Sequence, residues 1–110
     1  MVSAILSLAV AADDANWPVV GEQGVVRFVI VPTEQMRDRE AYARQARALC
    51  VPERSCFLNF YTNSTGADIK MPLPDVVDQE ATAVYRRSMK NGTERFQWSC
   101  RLKLSAGDCF

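Results

Sequence analysis

The chain has 110 residues, 48% of them hydrophobic and 24% charged, with 13 Lys and Arg balanced by 13 Asp and Glu and no histidine. That size suits one domain with a modest core, and zero formal net charge argues against a duplex-binding protein, which normally concentrates positive charge to neutralise phosphates. Without imidazole there is no Ser-His or Cys-His nucleophile and no mixed Cys/His metal site, so the four cysteines read as covalent staples made in an oxidising compartment.

Residues 1–12 carry no charge, hold an apolar run over 4–10, and present Ala9-Val10-Ala11 before Asp13-Asp14. Small-x-small followed by a polar start is what a signal peptidase cleaves, so residues 1–11 are expected to be a signal-peptide remnant and 12–110 a single domain. The basic segment that normally opens such a signal is missing, which leaves a buried strand or helix ending in alanines as the alternative. No later stretch is long and apolar enough to cross a bilayer. The expected location is periplasmic or secreted, with no membrane insertion of the mature chain.

Val25-Val26-Arg27-Phe28-Val29-Ile30-Val31 is β-branched and nearly all apolar, the pattern of a strand covered on much of both faces. Pro32 ends it and Thr33 is placed to cap a helix reaching Leu49, with Met36, Tyr42, Ala43, Ala46, Leu49 and Cys50 at helical spacing. Arg37, Arg39, Arg44 and Arg47 on this helix alternate with Glu34, Asp38 and Glu40, which reads as a solvated face before it reads as a polyanion site. A second strand follows over 56–62, then the turn formers Asn63-Ser64-Thr65-Gly66 and the longest irregular connection, through Pro72-Leu73-Pro74.

Asp75 is expected to cap a second helix with Val77, Ala81, Val84, Tyr85 and Ser88 inward and Asn91-Gly92 as its left-handed exit. Phe96, Trp98, Cys100, Leu102 and Leu104 then alternate with Arg95, Gln97, Ser99, Arg101 and Lys103, which predicts a last strand with one dry face. The fold class is therefore α/β or α+β. The expected architecture is a two-layer sandwich in β-α-β-α-β order, with a small three- to four-stranded sheet and two helices on one face. The extra edge strand would come from residues 17–20 or from the C-terminal tail.

In that topology Cys50 and Cys56 share one end of the sheet, whereas Cys100 lies on the order of 15–20 Å along it, beyond the roughly 7 Å that a disulfide spans. The preferred pairs are Cys50 with Cys56 and Cys100 with Cys109, the latter through a hairpin turning near Ser105-Ala106-Gly107. A shift of register would admit another pairing. Neither spacing is the C-x-x-C of a zinc knuckle or a redox dithiol, so no metal and no cofactor is expected.

Asp75, Asp78 and Glu80 cluster at the start of the expected second helix, where capping and the helix dipole alone collect acids. No glycine-rich phosphate loop is present, and Asn63-Ser64-Thr65 and Asn91-Gly92-Thr93 match the glycosylation pattern where turn chemistry also explains them. Cys50, Cys56-Phe57-Leu58-Asn59-Phe60-Tyr61, Tyr85, Asn91-Gly92 and Phe96-Gln97-Trp98-Ser99-Cys100 form a pattern that resembles a group of short exported bacterial proteins of unassigned function. The resemblance covers about half the chain, and at the position of Tyr61 those proteins usually carry Trp. It implies export and stapling and transfers no catalytic residue.

Ligands of open α/β sheets gather at the carboxyl ends of the strands, which places candidate binding residues at Asn59, Tyr61, Asn63, Asp68 and Lys70. The expected function is a small exported binding or inhibitory module acting on a partner protein, with no catalytic residues and no nucleic-acid partner. The alternative is a carboxylate-dependent hydrolase or lyase using Asp75, Asp78 or Glu80 with Lys70 or Tyr61.

Overall fold

The computed structural model describes residues 15–110, so the segment expected to be a signal remnant lies outside the described residues. Its strands are β1 (Val19–Gln23), β2 (Val26–Ile30), β3 (Cys56–Tyr61), β4 (Ala81–Ser88) and β5 (Thr93–Trp98). One full helix, α1 (Arg39–Leu49), joins β2 to β3, and α2 (Asp75–Asp78) is a single turn ahead of β4. The five strands form one mixed sheet in the order β1-β2-β3-β4-β5, with β2 and β3 parallel and the other neighbours antiparallel. This corrects the expected β-α-β-α-β sandwich with three or four strands and two helices on one face.

The correction centres on β4. Ala81, Val84, Tyr85 and Ser88 have helical spacing, but Ala83 and Tyr85 are buried on one face in strand alternation, between β3 and β5. A strand flanked on both sides gains two ladders of hydrogen bonds and a full set of cross-strand packing, which overrides the weak helical preference of an eight-residue segment. Asn91-Gly92 accordingly lies in the β4–β5 hairpin loop rather than behind a helix, with Gly92 at φ 67° supplying the left-handed residue such a turn requires. At the other edge Gly24 takes φ 63° in the two-residue loop that closes β1 on β2.

Two smaller corrections follow from local hydrogen bonding. Thr33 opens a 3-10 turn (Thr33–Gln35) with no side-chain cap, and α1 starts later, where Asp38 accepts from the Ala41 N–H. The last strand stops at Trp98. Cys100 to Leu102 form a 3-10 turn in which Cys100 is exposed and Leu102 buried, and Lys103 exits in the left-handed region.

One face of the sheet packs on α1. Tyr42 sits at the centre of that layer, edge-on to Trp17, Phe60, Phe96 and Trp98 at centroid distances of 5.0–5.5 Å. Leu58, Val29, Val31 and Ala83 complete it. The buried Gln45 accepts from the Trp17 N–H at 2.8 Å and donates to the Ala15 carbonyl at 2.9 Å, pinning the chain ahead of β1 to the helix. The other face is covered by the long connection after β3, whose Ala67, Ile69, Leu73 and Val77 fold back over Phe28, Tyr61, Val26 and Ile30.

Cys50 is joined to Cys56 and Cys100 to Cys109, with Cα separations of 5.7 and 5.0 Å. These are the two pairs preferred on the sequence. The second closes without a hairpin: the tail runs beside the edge of β5, Cys109 bridging Trp98 in parallel and the Phe110 N–H donating to the Trp98 carbonyl.

Candidate functional site

The binding residues expected from the sequence are dispersed or engaged inside the protein. Asn59 and Tyr61 share the face opposite α1: the Asn59 carbonyl oxygen accepts from Arg86 Nη2 at 2.7 Å, and its amide makes a long contact of 3.5 Å to the Tyr61 hydroxyl. Tyr61 is buried against Phe28, and burial pushes its phenol up. Asn63 closes its own turn, donating to the Ala67 carbonyl and accepting from the Ala67 N–H. Asp68 and Lys70 are exposed, and no hydrogen bond or ion pair among the described residues brings them to Asn59 or Tyr61.

The three acids of the alternative reading do not form an acid/base pair. Asp75 and Asp78 are exposed. Glu80 accepts from the Thr62 hydroxyl, the Ser64 N–H and the Ser64 hydroxyl at 2.6–3.0 Å. Burial pushes its carboxyl up, but those donors and the charge of Arg101 outweigh it and hold the group below the usual carboxylate range. A group depressed in the folded state stabilises the fold above its unfolded pKa, and that contribution is lost as pH falls through the folded value. We expect thermal stability to decline as pH drops below the ordinary carboxylate range, and Glu80→Gln to flatten the decline; an unchanged pH profile in that variant would remove Glu80 from the account.

Among the described residues a concavity lies elsewhere, between α1 and the β4–β5 end of the sheet. It is a groove of about 380 Å³. Arg39, Ala43 and Arg47 recur every four residues along α1 and form one wall. Antiparallel register sets Tyr85 opposite Phe96 and Arg87 opposite Glu94 on the floor. The Tyr85 hydroxyl donates to Glu94 Oε2, and burial first, then the bond to Glu94 and its charge, push that phenol up against the opposing effect of Arg87. Tyr42, at the back of the groove, is pushed up to about 12 by burial. Both shifts favour the protonated phenol, and Glu94, the one carboxylate lining the groove, accepts from Tyr85.

Its electrostatics are unbalanced. Arg39 lies over the Phe96 ring, 4.3 Å from the centroid, a cation–π contact that leaves the charge unneutralised. Arg87 donates to the neutral carbonyls of Val51 and Arg54. Arg47 makes no hydrogen bond or ion pair among the described residues. Arg95, at the rim, is paired with Asp108 at 2.9 Å. Three guanidinium charges thus surround a single carboxylate, Glu94, that Tyr85 already engages.

Arg39 and Arg47 belong to the helix face expected to be solvated, and the fold instead sets them at this groove. Arg37 precedes the helix and donates to the Leu102 carbonyl at 2.7 Å, whereas Arg39 and Arg47 line the groove. The signal in the sequence is the four-residue spacing of Arg39, Ala43 and Arg47, which puts the three on one side of the helix.

No described helix is long and apolar enough to cross a membrane, and no described group of His, Cys, Asp or Glu has a metal-binding arrangement. Comparison of the chain with protein-family models, with curated proteins and with solved structures gave no match.

Proposed function

We propose that this chain is a small exported, non-catalytic module that binds or inhibits a partner protein through the groove between α1 and the β4–β5 end of the sheet. One observation carries the reading: Arg39, Arg47 and Arg87, which make no ion pair among the described residues, converge on a concavity that holds the Phe96 and Tyr85 rings and a single carboxylate, Glu94, in a protein of zero net charge. Guanidiniums held in this way recognise carboxylates bidentately and are strongest where water is partly excluded. The groove's volume admits one or two acidic side chains of a protein surface. The two disulfides fit an oxidising compartment, and the likeness to short exported bacterial proteins supports the same location.

The test compares the native chain with the double variant Arg39→Glu/Arg47→Glu, using the native chain as bait in a periplasmic extract and then titrating the captured protein against both. Each lost charge pair at an interface costs about 2–5 kcal/mol, so the double variant should bind at least about 100-fold more weakly. Asp68→Ala/Lys70→Ala should bind as the native chain does. Equal affinity in the arginine variant would move the interaction to another surface.

A further inference from the structure

The groove opens beside the free edge of β5, and the backbone there is unfinished. The Ser99 N–H donates to the Thr82 carbonyl at 2.8 Å, which sets the phase of the β4–β5 ladder: residues 93, 95, 97 and 99 turn their backbone groups to β4, and 94, 96 and 98 turn theirs outward. At Trp98 the tail takes the outward carbonyl, through the Phe110 N–H at 3.1 Å. Beyond that point the tail gives no backbone hydrogen bond to Glu94 or Phe96 among the described residues. The outward N–H and C=O groups of Glu94 and Phe96 make no hydrogen bond among the described residues, on a stretch where Thr93, Glu94 and Arg95 are exposed.

We propose that this edge takes up an extended acidic segment of the partner as a sixth strand, whose alternate carboxylates enter the arginine groove. The inference rests on the binding reading above and names the form of the ligand. A strand paired on β5 has every second side chain on the side of Glu94 and Phe96, which is the side of α1. A residue opposite Phe96 arrives beside Arg39, which already lies over that ring. The neighbouring position on the same face is about 6.7 Å away, toward the Glu94 end, where Arg87 and Arg47 stand. Main-chain bonds would give affinity and the alternate carboxylates specificity, the division of labour in strand addition.

The tail already shows that the edge accepts this chemistry. Cys109 lies parallel to Trp98, and the preceding Asp108 accepts from Arg95 Nη2 at 2.9 Å and from Gln97 Nε2 at 3.0 Å. An acidic residue beside β5 is thus read by arginine on one face, and the partner's would be read by arginine on the other.

The probe is a blocked seven-residue peptide alternating valine with glutamate, titrated into the oxidised native chain and followed by amide NMR and hydrogen exchange. We expect the Glu94 and Phe96 amides to shift and their exchange to slow at least tenfold at saturation. The same peptide N-methylated at alternate residues should bind at least tenfold more weakly, and its lysine counterpart should not bind. If the N-methylated peptide binds equally well while the groove resonances still shift, strand addition is wrong and the arginine groove stands. If no peptide perturbs the groove, the binding reading itself fails. If the Glu94 and Phe96 amides are already protected in a free chain that tumbles as a dimer, a second copy occupies the edge and the proposal is overturned.

Discussion

Replacing Tyr42 with alanine should cost about 3–5 kcal/mol, the range for deleting a fully buried aromatic ring. Tyr42 is 1% exposed, and its ring meets four others, from Trp17 ahead of β1 to Trp98 at the end of β5. Deleting it opens a cavity between the helix and the sheet that rigid aromatic neighbours close poorly. For a domain of this size the melting temperature should fall by about 15–25 °C. Tyr42→Phe separates the ring from its hydroxyl, which donates to the Met36 carbonyl at 2.7 Å and lies 2.9 Å from the Thr82 hydroxyl. Thr82 keeps a contact with the Phe60 carbonyl at 3.3 Å, so the phenylalanine variant should lose only about 1–2 kcal/mol. Calorimetry on both variants checks the ratio. Equal losses would mean that the buried hydroxyl, and not the packing of the ring, holds α1 to the sheet.

What was legible in the sequence, and what was not, divides along the same lines. β2 and β3 announce themselves through Val29, Val31, Leu58 and Phe60, because residues buried in the middle of a sheet leave continuous apolar runs. The helix between them is visible in Tyr42 and Ala46, but it starts after Asp38 and not at Thr33: both residues can cap, and the three-dimensional path decides which is used. β4 was hidden because alanine, tyrosine and arginine are tolerated in either conformation, and its state is set by partners distant in sequence. Asn91-Gly92 carried the contrary signal, a hairpin, and the capping motif ahead of it masked that reading.

The groove was illegible for the same reason. Its floor exists only once Tyr85 and Arg87 belong to a strand facing Phe96 and Glu94, so an expectation that made them helical could not place them opposite each other. Asn59 and Tyr61 share one face of β3, and sequence gives no hint that Arg86, which lies between the floor residues Tyr85 and Arg87 but faces the other side of the sheet, engages Asn59. Burial lowers the pKa of that guanidinium, which acts as an internal donor to Asn59 and to the Leu58 and Tyr85 carbonyls.

Opening the disulfides should have the second large effect, and the two should not be equivalent. On chain-entropy grounds, loops closed at sequence separations of 6 and 9 each restrict the unfolded chain by about 2–3 kcal/mol. Together that is a large share of the about 5–15 kcal/mol typical of a domain. Cys50–Cys56 ties the end of α1 to the first residue of β3, and the loop it closes offers the Val51 and Arg54 carbonyls to Arg87. Cys100–Cys109 holds the tail along β5, where Asp108 meets Arg95 and Gln97. Cys50→Ala/Cys56→Ala should therefore lower both the urea midpoint and the affinity of the groove for its acidic probe, since Arg87 loses its anchor. Cys100→Ala/Cys109→Ala should lower the midpoint by a similar amount and leave the groove's affinity for the N-methylated peptide unchanged. If the fully reduced chain, confirmed by thiol titration, unfolds at the same urea concentration as the oxidised one, the crosslinks are not what holds this small core together.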